Sequence, residues 1–376
     1  MKIKKVFLFY PPGPQYQRGE DRSQGNVENS TATSMRAPND MGYVSAQLDQ
    51  KNIENIFTDY ASEHKNSDDL FKDFLDFSPD VVITSTTTST IKDDLKIIEQ
   101  MKLKKNCIFI MKGSIFYKAP SFLIDSLDLK DVDFLIGGEI EFAAANIIDK
   151  INNNQKDFNT IPGIFVKEGN EWQESKFDNW NKEIDDLPFP NRSKVNNELY
   201  FRPDTGEPQA TIATSRGCPS ACVYCLTPTI SGKKTRLRSP KSIIEELSMK
   251  HKEIHLVGYS GGAGIAMYLG SINNQSISSI RTVAGNINHN ALTKLLKITN
   301  LRNSLNFYPI IKKTNKIPQI HYYGLEDKVV PNKLQISYKN QNADNNCINI
   351  SPVKAAHVKG WETFWINNSN LLPKCN

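Results

Sequence analysis

No stretch of this 376-residue chain approaches the about 20 consecutive apolar residues that a membrane-crossing helix needs, so no membrane span is expected. Nor is there a long basic stripe interleaved with aromatics. The formal net charge of +5 is spread over a chain rich in Lys, Asn and Ile and marks no clear nucleic-acid site. Internal repeats and low-complexity tracts are absent, which excludes repeat architectures. The N-terminal MKIKKVFLFYPPGP starts basic, but Tyr10-Pro11-Pro12 interrupts its short apolar run and no small-residue cleavage site follows, so a secretory signal is not expected. A cytoplasmic location is the expectation, with reduced thiols. Cysteine is scarce, six residues in all, and a tight group of them then points to metal rather than to disulfides.

What is present is the balance of a soluble globular protein, 39% hydrophobic and 23% charged, at a length that supports two or three domains. Residues 1–155 alternate strand and helix signals. KVFLFY, IENIFTDY, DVVITSTT, NCIFIMKG and VDFLIGG read as strands, with SDDLFKDFLDFS and IKDDLKIIEQMKLK among the helices between them. This alternation predicts a doubly wound, Rossmann-like parallel sheet with ligands at the carboxyl ends of its strands. Those ends carry Pro12 and Gly13, then Ser85 and Thr86, then Gly113, then Gly138 and Glu139. Glycine lets a ligand approach the backbone and the hydroxyls can donate to it; ordinary turn and cap chemistry would use the same residues. Residues 156–210 read as a linker with a small β element, IPGIFVKEGNEW, and residues 211–250 as a strand, a loop and a helix that begins with Ser239 as N-cap and Pro240 at its first position.

The loop holds SRGCPSACVYC, residues 215–225. Cys218, Cys222 and Cys225 are spaced C-x3-C-x2-C, and Tyr224 precedes the last. Three thiolates can ligate three irons of a [4Fe–4S] cluster and leave the fourth open. A zinc site would want a fourth ligand, and no further Cys or His lies close in sequence.

SRGCPSACVYC, the arginines of RLRSP and the helix KSIIEEL resemble the radical S-adenosylmethionine (SAM) superfamily, in which this loop follows the first strand of a βα barrel. The resemblance implies a [4Fe–4S] cluster on Cys218, Cys222 and Cys225, SAM chelated to the open iron, and reductive cleavage of SAM by an electron donor such as a flavodoxin or ferredoxin. Residues 1–155 in turn are similar to the cobalamin-binding domain that precedes the barrel in many such proteins, through YPPGP, STTTST, MKGS and IGGEIEF. That likeness implies cofactor contacts at Pro12, Gly13, Ser85, Thr86, Gly113, Gly138 and Glu139, with Tyr224 beside the cluster. The first βα loop carries no histidine, so any cobalamin is expected without a histidine on cobalt.

From about residue 251 a different chemistry begins. Gly258-Tyr259-Ser260-Gly261-Gly262 is a G-x-S-x-G elbow between the strand EIHLV and a small-residue helix, and the N–H of Gly261 could serve an oxyanion. Asp327 and His357 follow in the chain order Ser, Asp, His, so residues 251–376 resemble the C-terminal half of an α/β-hydrolase. That resemblance implies Ser260 as nucleophile, His357 as general base and Asp327 as its orienting group; His255, His289 and His321 are expected to be packing or surface residues. Both modules look truncated. The barrel strands after the first are not recognisable, and neither are the first hydrolase strands with the loop that usually gives a second oxyanion N–H. The first expectation is therefore a B12-type radical SAM protein acting on a small-molecule substrate, with a hydrolase-like segment appended. The alternatives are a serine hydrolase acting on an ester or amide, and a non-catalytic fusion of two truncated enzymes.

Overall fold

The computed structural model describes residues 2–15, 36–169, 171–175, 183–201, 206, 208–218, 227–248, 253–272, 275–299, 308–368 and 370–375. The chain divides into two compact units, Met1–Arg238 and Ser239–Asn376.

The first unit runs β1 (Lys5–Tyr10), α1 (Asn39–Gln50), β2 (Glu54–Asp59), α2 (Ser67–Phe77), β3 (Val81–Ser85), α3 (Ile91–Lys104), β4 (Ile108–Lys112), α4 (Ser121–Asp125), β5 (Phe134–Ile136) and α5 (Ile140–Asn152). Then come β6 (Ile164–Glu168), β7 (Glu171–Glu174), β8 (Ser215–Arg216), α6 (Thr227–Ile230) and β9 (Arg236–Leu237). Among the described residues its main sheet has the order β2-β1-β3-β4-β5-β6-β7. The first five strands pair parallel, with Leu8 opposite both Phe57 and Ile83. Strand β1 shows why. Val6, Leu8 and Tyr10 enter one core with Met41 and Val44 of α1 and Ala144 of α5, while Phe7 and Phe9 enter another with Phe74 of α2 and Ile98 of α3. A strand buried on both faces needs helices on both, which is the condition for a parallel sheet.

Two expectations change here. The small β element placed in a linker is no separate piece: β6 pairs antiparallel with β5, and β7 with β6, so both extend the main sheet. Ile164 and Phe165 are buried in its two cores, which fixes them there. The strand expected to open the barrel is confined to Ser215 and Arg216, which pair antiparallel with Leu237 and Arg236 and so close the base of the cysteine loop.

The second unit runs α7 (Pro240–Ser248), β10 (Ile254–Tyr259), α8 (Gly261–Ile272), β11 (Ile277–Val283), α9 (His289–Leu296), β12 (Gln319–Gly324), α10 (Lys333–Asn340), β13 (Ile348–Val353) and α11 (Trp361–Asn368). Its strands form a parallel sheet in sequence order. Helix α7 starts as expected, with Ser239 Oγ accepting from the N–H of Ser242 at 3.2 Å. It belongs to this unit, however, and not to the cluster segment: Ile244 is fully buried with Ile254, Met267 and Ile280. The domain boundary therefore falls at 238/239 rather than at 250/251. Cys347 and Cys375 are joined by a disulfide, against the expectation of reduced thiols throughout. Among the described residues no helix is long and apolar enough to cross a membrane.

The core of this unit holds a buried polar knot. His321 Nδ1 faces Thr282 Oγ1 at 2.8 Å and its Nε2 faces Gln319 Oε1 at 3.0 Å, beside the Tyr338 ring. Gln319 Oε1 can only accept, so Nε2 carries the proton and Nδ1 takes the Thr282 hydroxyl. Burial pushes the His321 imidazole down to about 3. The unfolded chain then takes up a proton below its ordinary value of about 6.5 that the folded chain refuses, so stability is present above that value and is lost as pH falls. Between pH 7 and 5 this one site is expected to remove about 2 kcal/mol. Urea unfolding of the wild type and His321→Gln at the two pH values checks it. An equally steep loss in the variant would assign the acid sensitivity elsewhere.

Candidate functional site

In the first unit the strand ends gather as expected at one edge of the sheet: Ser85 stands opposite Lys112, and Lys112 opposite Ile136. The residues gathered there divide by what their polar atoms already do. Thr86 Oγ1 donates to Asp94 Oδ2 at 2.6 Å, and Thr90 Oγ1 to the same oxygen at 2.7 Å. The Thr86 hydroxyl is thus directed into the structure, where Asp94 is buried. Ser85 is buried too. Gly113 packs against Thr86, whose methyl would lie 2.8 Å from an added Cβ. Gly13 is exposed, its φ of +130° suits glycine, and an added Cβ would meet nothing among the described residues. Pro12 is half-buried beside it, and Gly138 is buried at the start of α5.

Glu139 is committed. Its carboxylate takes both Arg236 nitrogens, at 2.5 and 3.0 Å, and Arg216 approaches at 3.5 Å. Arg216 also pairs with Glu141. Burial pushes the Glu141 carboxyl up, against the opposing pull of Arg216. Arg216 and Arg236 belong to β8 and β9, the strands that flank the cysteine loop. The loop's base is therefore fastened by buried charge-assisted bonds to the strand-end region of the main sheet. Sequence reading had Arg236 of RLRSP but not its partner Glu139, which lies 97 residues away.

Cys218 is half-buried with a free thiol, and its N–H donates to the Gly232 carbonyl at 3.0 Å. Cys222, Tyr224 and Cys225 lie outside the described residues. His64 is exposed in the turn after β2.

In the second unit the three hydrolase candidates converge. Each follows a strand of one parallel sheet, so the topology delivers all of them to the same edge: Ser260 after β10, Asp327 after β12, His357 after β13. Ser260 Oγ lies 3.0 Å from His357 Nε2, and His357 Nδ1 lies 2.9 Å from Asp327 Oδ2. The Asp327 side chain is fully buried, and its Oδ1 accepts from the N–H groups of Val329 and Val330 at 2.8 and 2.9 Å. Four further features fix the elbow. Ser260 itself takes the left-handed conformation, φ 51°, which a non-glycine residue adopts only under constraint. Its N–H donates to Val283 and its carbonyl accepts from Asn286, both at 2.9 Å. An added Cβ on Gly258 would collide with the Gly262 carbonyl, whereas one on Gly262 would meet nothing. Of the two glycines in the motif, Gly258 is thus the one that sterics demand.

His255, His289 and His321 lie apart from the triad. His255 Nδ1 meets Ser279 Oγ at 2.8 Å, and His289 and His321 are buried. Tyr259 and Trp361 were missed. The Tyr259 hydroxyl donates to the His357 carbonyl at 2.5 Å, and Trp361 Nε1 donates to the carbonyls of Ala356 and His357 at 2.8 and 3.1 Å.

No family model matches the chain. Over 254 residues it is 25% identical to an uncharacterized methyltransferase of Pyrococcus horikoshii, covering 67% of this chain and 52% of that protein. It is 24% identical to the cytidylyl-2-hydroxyethylphosphonate methyltransferase of Streptomyces wedmorensis, covering 56% of this chain and 47% of that protein. The chain thus spans about half the length of the curated relatives it matches. Among solved structures it is similar to the cobalamin-dependent S-adenosylmethionine radical enzyme OxsB with aqua-cobalamin bound, at a TM-score of 0.54 and 15% identity, over 93% of this chain and 49% of that one. At that identity the likeness is one of fold: a mixed α/β architecture with a parallel sheet, shared with a cobalamin-dependent radical SAM enzyme.

Proposed function

We propose that the chain is a B12-type radical SAM methyltransferase-like protein acting on a small molecule, and that its second unit carries a separate serine hydrolase site. For the first reading, the observation that carries most is the cysteine loop itself, fastened at its base through Arg216 and Arg236 to Glu139 and Glu141. The curated methyltransferase relatives support the same reading. Cys218, Cys222 and Cys225 have the donor type and number for a [4Fe–4S] cluster with one open iron. Bound there, the cluster would supply the electron for reductive cleavage of SAM. The chain's own part is to hold three thiolates and to set the loop by its arginines. For cobalamin, the turn at Pro12 and exposed Gly13 is the feature that fits; Glu139 and Thr86 already serve other partners. A low-potential cluster calls for a reducing compartment and an electron donor such as a flavodoxin or ferredoxin, so the cytoplasm is the proposed location despite the Cys347–Cys375 disulfide.

Equilibrium dialysis with radiolabelled SAM tests this reading. Reconstituted wild type is expected to retain SAM, and Cys225→Ala, treated identically, is expected to retain none. Equal retention would separate SAM binding from the thiol loop.

The second reading rests on the triad distances. Ser260 Oγ would attack a carbonyl carbon while its proton passes to His357 Nε2. The imidazolium so formed is paired with Asp327, and the same proton then leaves with the alcohol or amine. Water repeats the sequence to free Ser260. The N–H of Gly261, the first residue of α8, is the proposed oxyanion donor.

A further inference from the structure

We propose that Tyr259 and Trp361 are positioning residues that hold His357 in register with Ser260 by gripping its backbone carbonyl. The inference rests on the hydrolase reading of the second unit and adds two residues to it. Residues 354–360, which carry His357, form neither helix nor strand. A general base on such a segment needs an anchor, because small displacements of catalytic groups are costly in rate.

The His357 carbonyl receives two side-chain donors, Tyr259 Oη at 2.5 Å and Trp361 Nε1 at 3.1 Å, which occupy both of its lone pairs. The two donors come from different supports. Tyr259 ends β10 and is covalently next to the nucleophile, so its bond ties the base-bearing loop to the strand that sets Ser260. Its ring lies 5.5 Å from the imidazole. The residue is 45% exposed, so burial of the ring does not account for its place. Trp361 opens α11 and is seated in a core with Tyr322, Val353 and Ala355, its ring edge-on to Phe364. The indole N–H is shared with the Ala356 carbonyl, which extends the grip to two consecutive residues. Asp327 orients the imidazole through Nδ1; these donors hold the backbone from which the imidazole hangs.

Tyr259→Phe and Trp361→Phe remove one donor each and keep an aromatic ring in place. A hydrogen bond of ordinary strength corresponds to about a fivefold effect, and each variant is expected to lower kcat on p-nitrophenyl acetate by about that factor with KM unchanged. Since each donor backs up the other on one acceptor, the double variant is expected to fall by more than the product, on the order of 10². A second readout needs no turnover. The downfield proton resonance of His357 Nδ1–H in its bond to Asp327 should be sharp in the wild type and broadened in the double variant. A resonance absent from the wild type, or unchanged in the double variant, would overturn the proposal, as would wild-type kcat in the double variant. Broadening in a chain whose wild type neither hydrolyses the ester nor reacts with a fluorophosphonate would uphold the grip and overturn the hydrolase reading alone.

Discussion

Ser260→Ala is expected to abolish labelling by a fluorophosphonate and to lower ester hydrolysis at least about 10³-fold. The size follows from the role. Among the described residues Ser260 Oγ stands within hydrogen-bond reach of His357 Nε2, and the left-handed backbone at Ser260 presents it there. Alanine at 260 removes the nucleophile and leaves the packing around it intact, so the fold should persist. The check is paired: labelling and hydrolysis measured on the same preparation, with a thermal unfolding curve for each protein. Hydrolysis that survives in the variant would mean that the elbow is not its source. Alanine at Asp327 is a different experiment, since its carboxylate also receives two backbone N–H groups and its loss would disturb the loop.

The second large effect is expected from Cys222→Ala. With three thiolates the loop can hold about four irons per chain; with two, too few ligands remain and iron is expected to fall to background. Iron and sulfide analysis after anaerobic reconstitution, beside the wild type, gives the result directly. Retention of about four irons in the variant would remove Cys222 from the ligand set and the C-x3-C-x2-C reading with it.

The sequence was most legible where local pattern and topology agree. KVFLFY announced a strand buried on both faces, and all six residues of β1 pair parallel with β2. The order Ser, Asp, His was enough to pick out three side chains that come together, because in a parallel sheet every strand ends at the same edge. Pattern does not name the partners that polar groups and elements find in the fold. Ser85 and Thr86 read as ligand hydroxyls, yet Thr86 serves Asp94, eight residues on, and nothing in a hydroxyl run says which way it faces. Glu139 read as a cofactor contact and is held by arginines from the cysteine segment. Ile244 read as part of that segment because its helix follows it; burial among Ile254 and Ile280 assigns the helix to the second unit. The β6–β7 hairpin read as a linker because antiparallel extension of a parallel sheet leaves no mark in strand–helix alternation. Tyr259 hid in the variable position of a motif, and its phenol acts on a carbonyl 98 residues away.

The most direct test of the central claim, that this chain carries a radical SAM site, is electron paramagnetic resonance of the reconstituted, reduced protein with and without SAM. The account predicts a [4Fe–4S] signal that shifts when SAM is added, because the iron without a thiolate is open to it. No cluster, or a cluster signal that SAM leaves unchanged, would contradict it and leave Ser260 as the one chemistry to pursue.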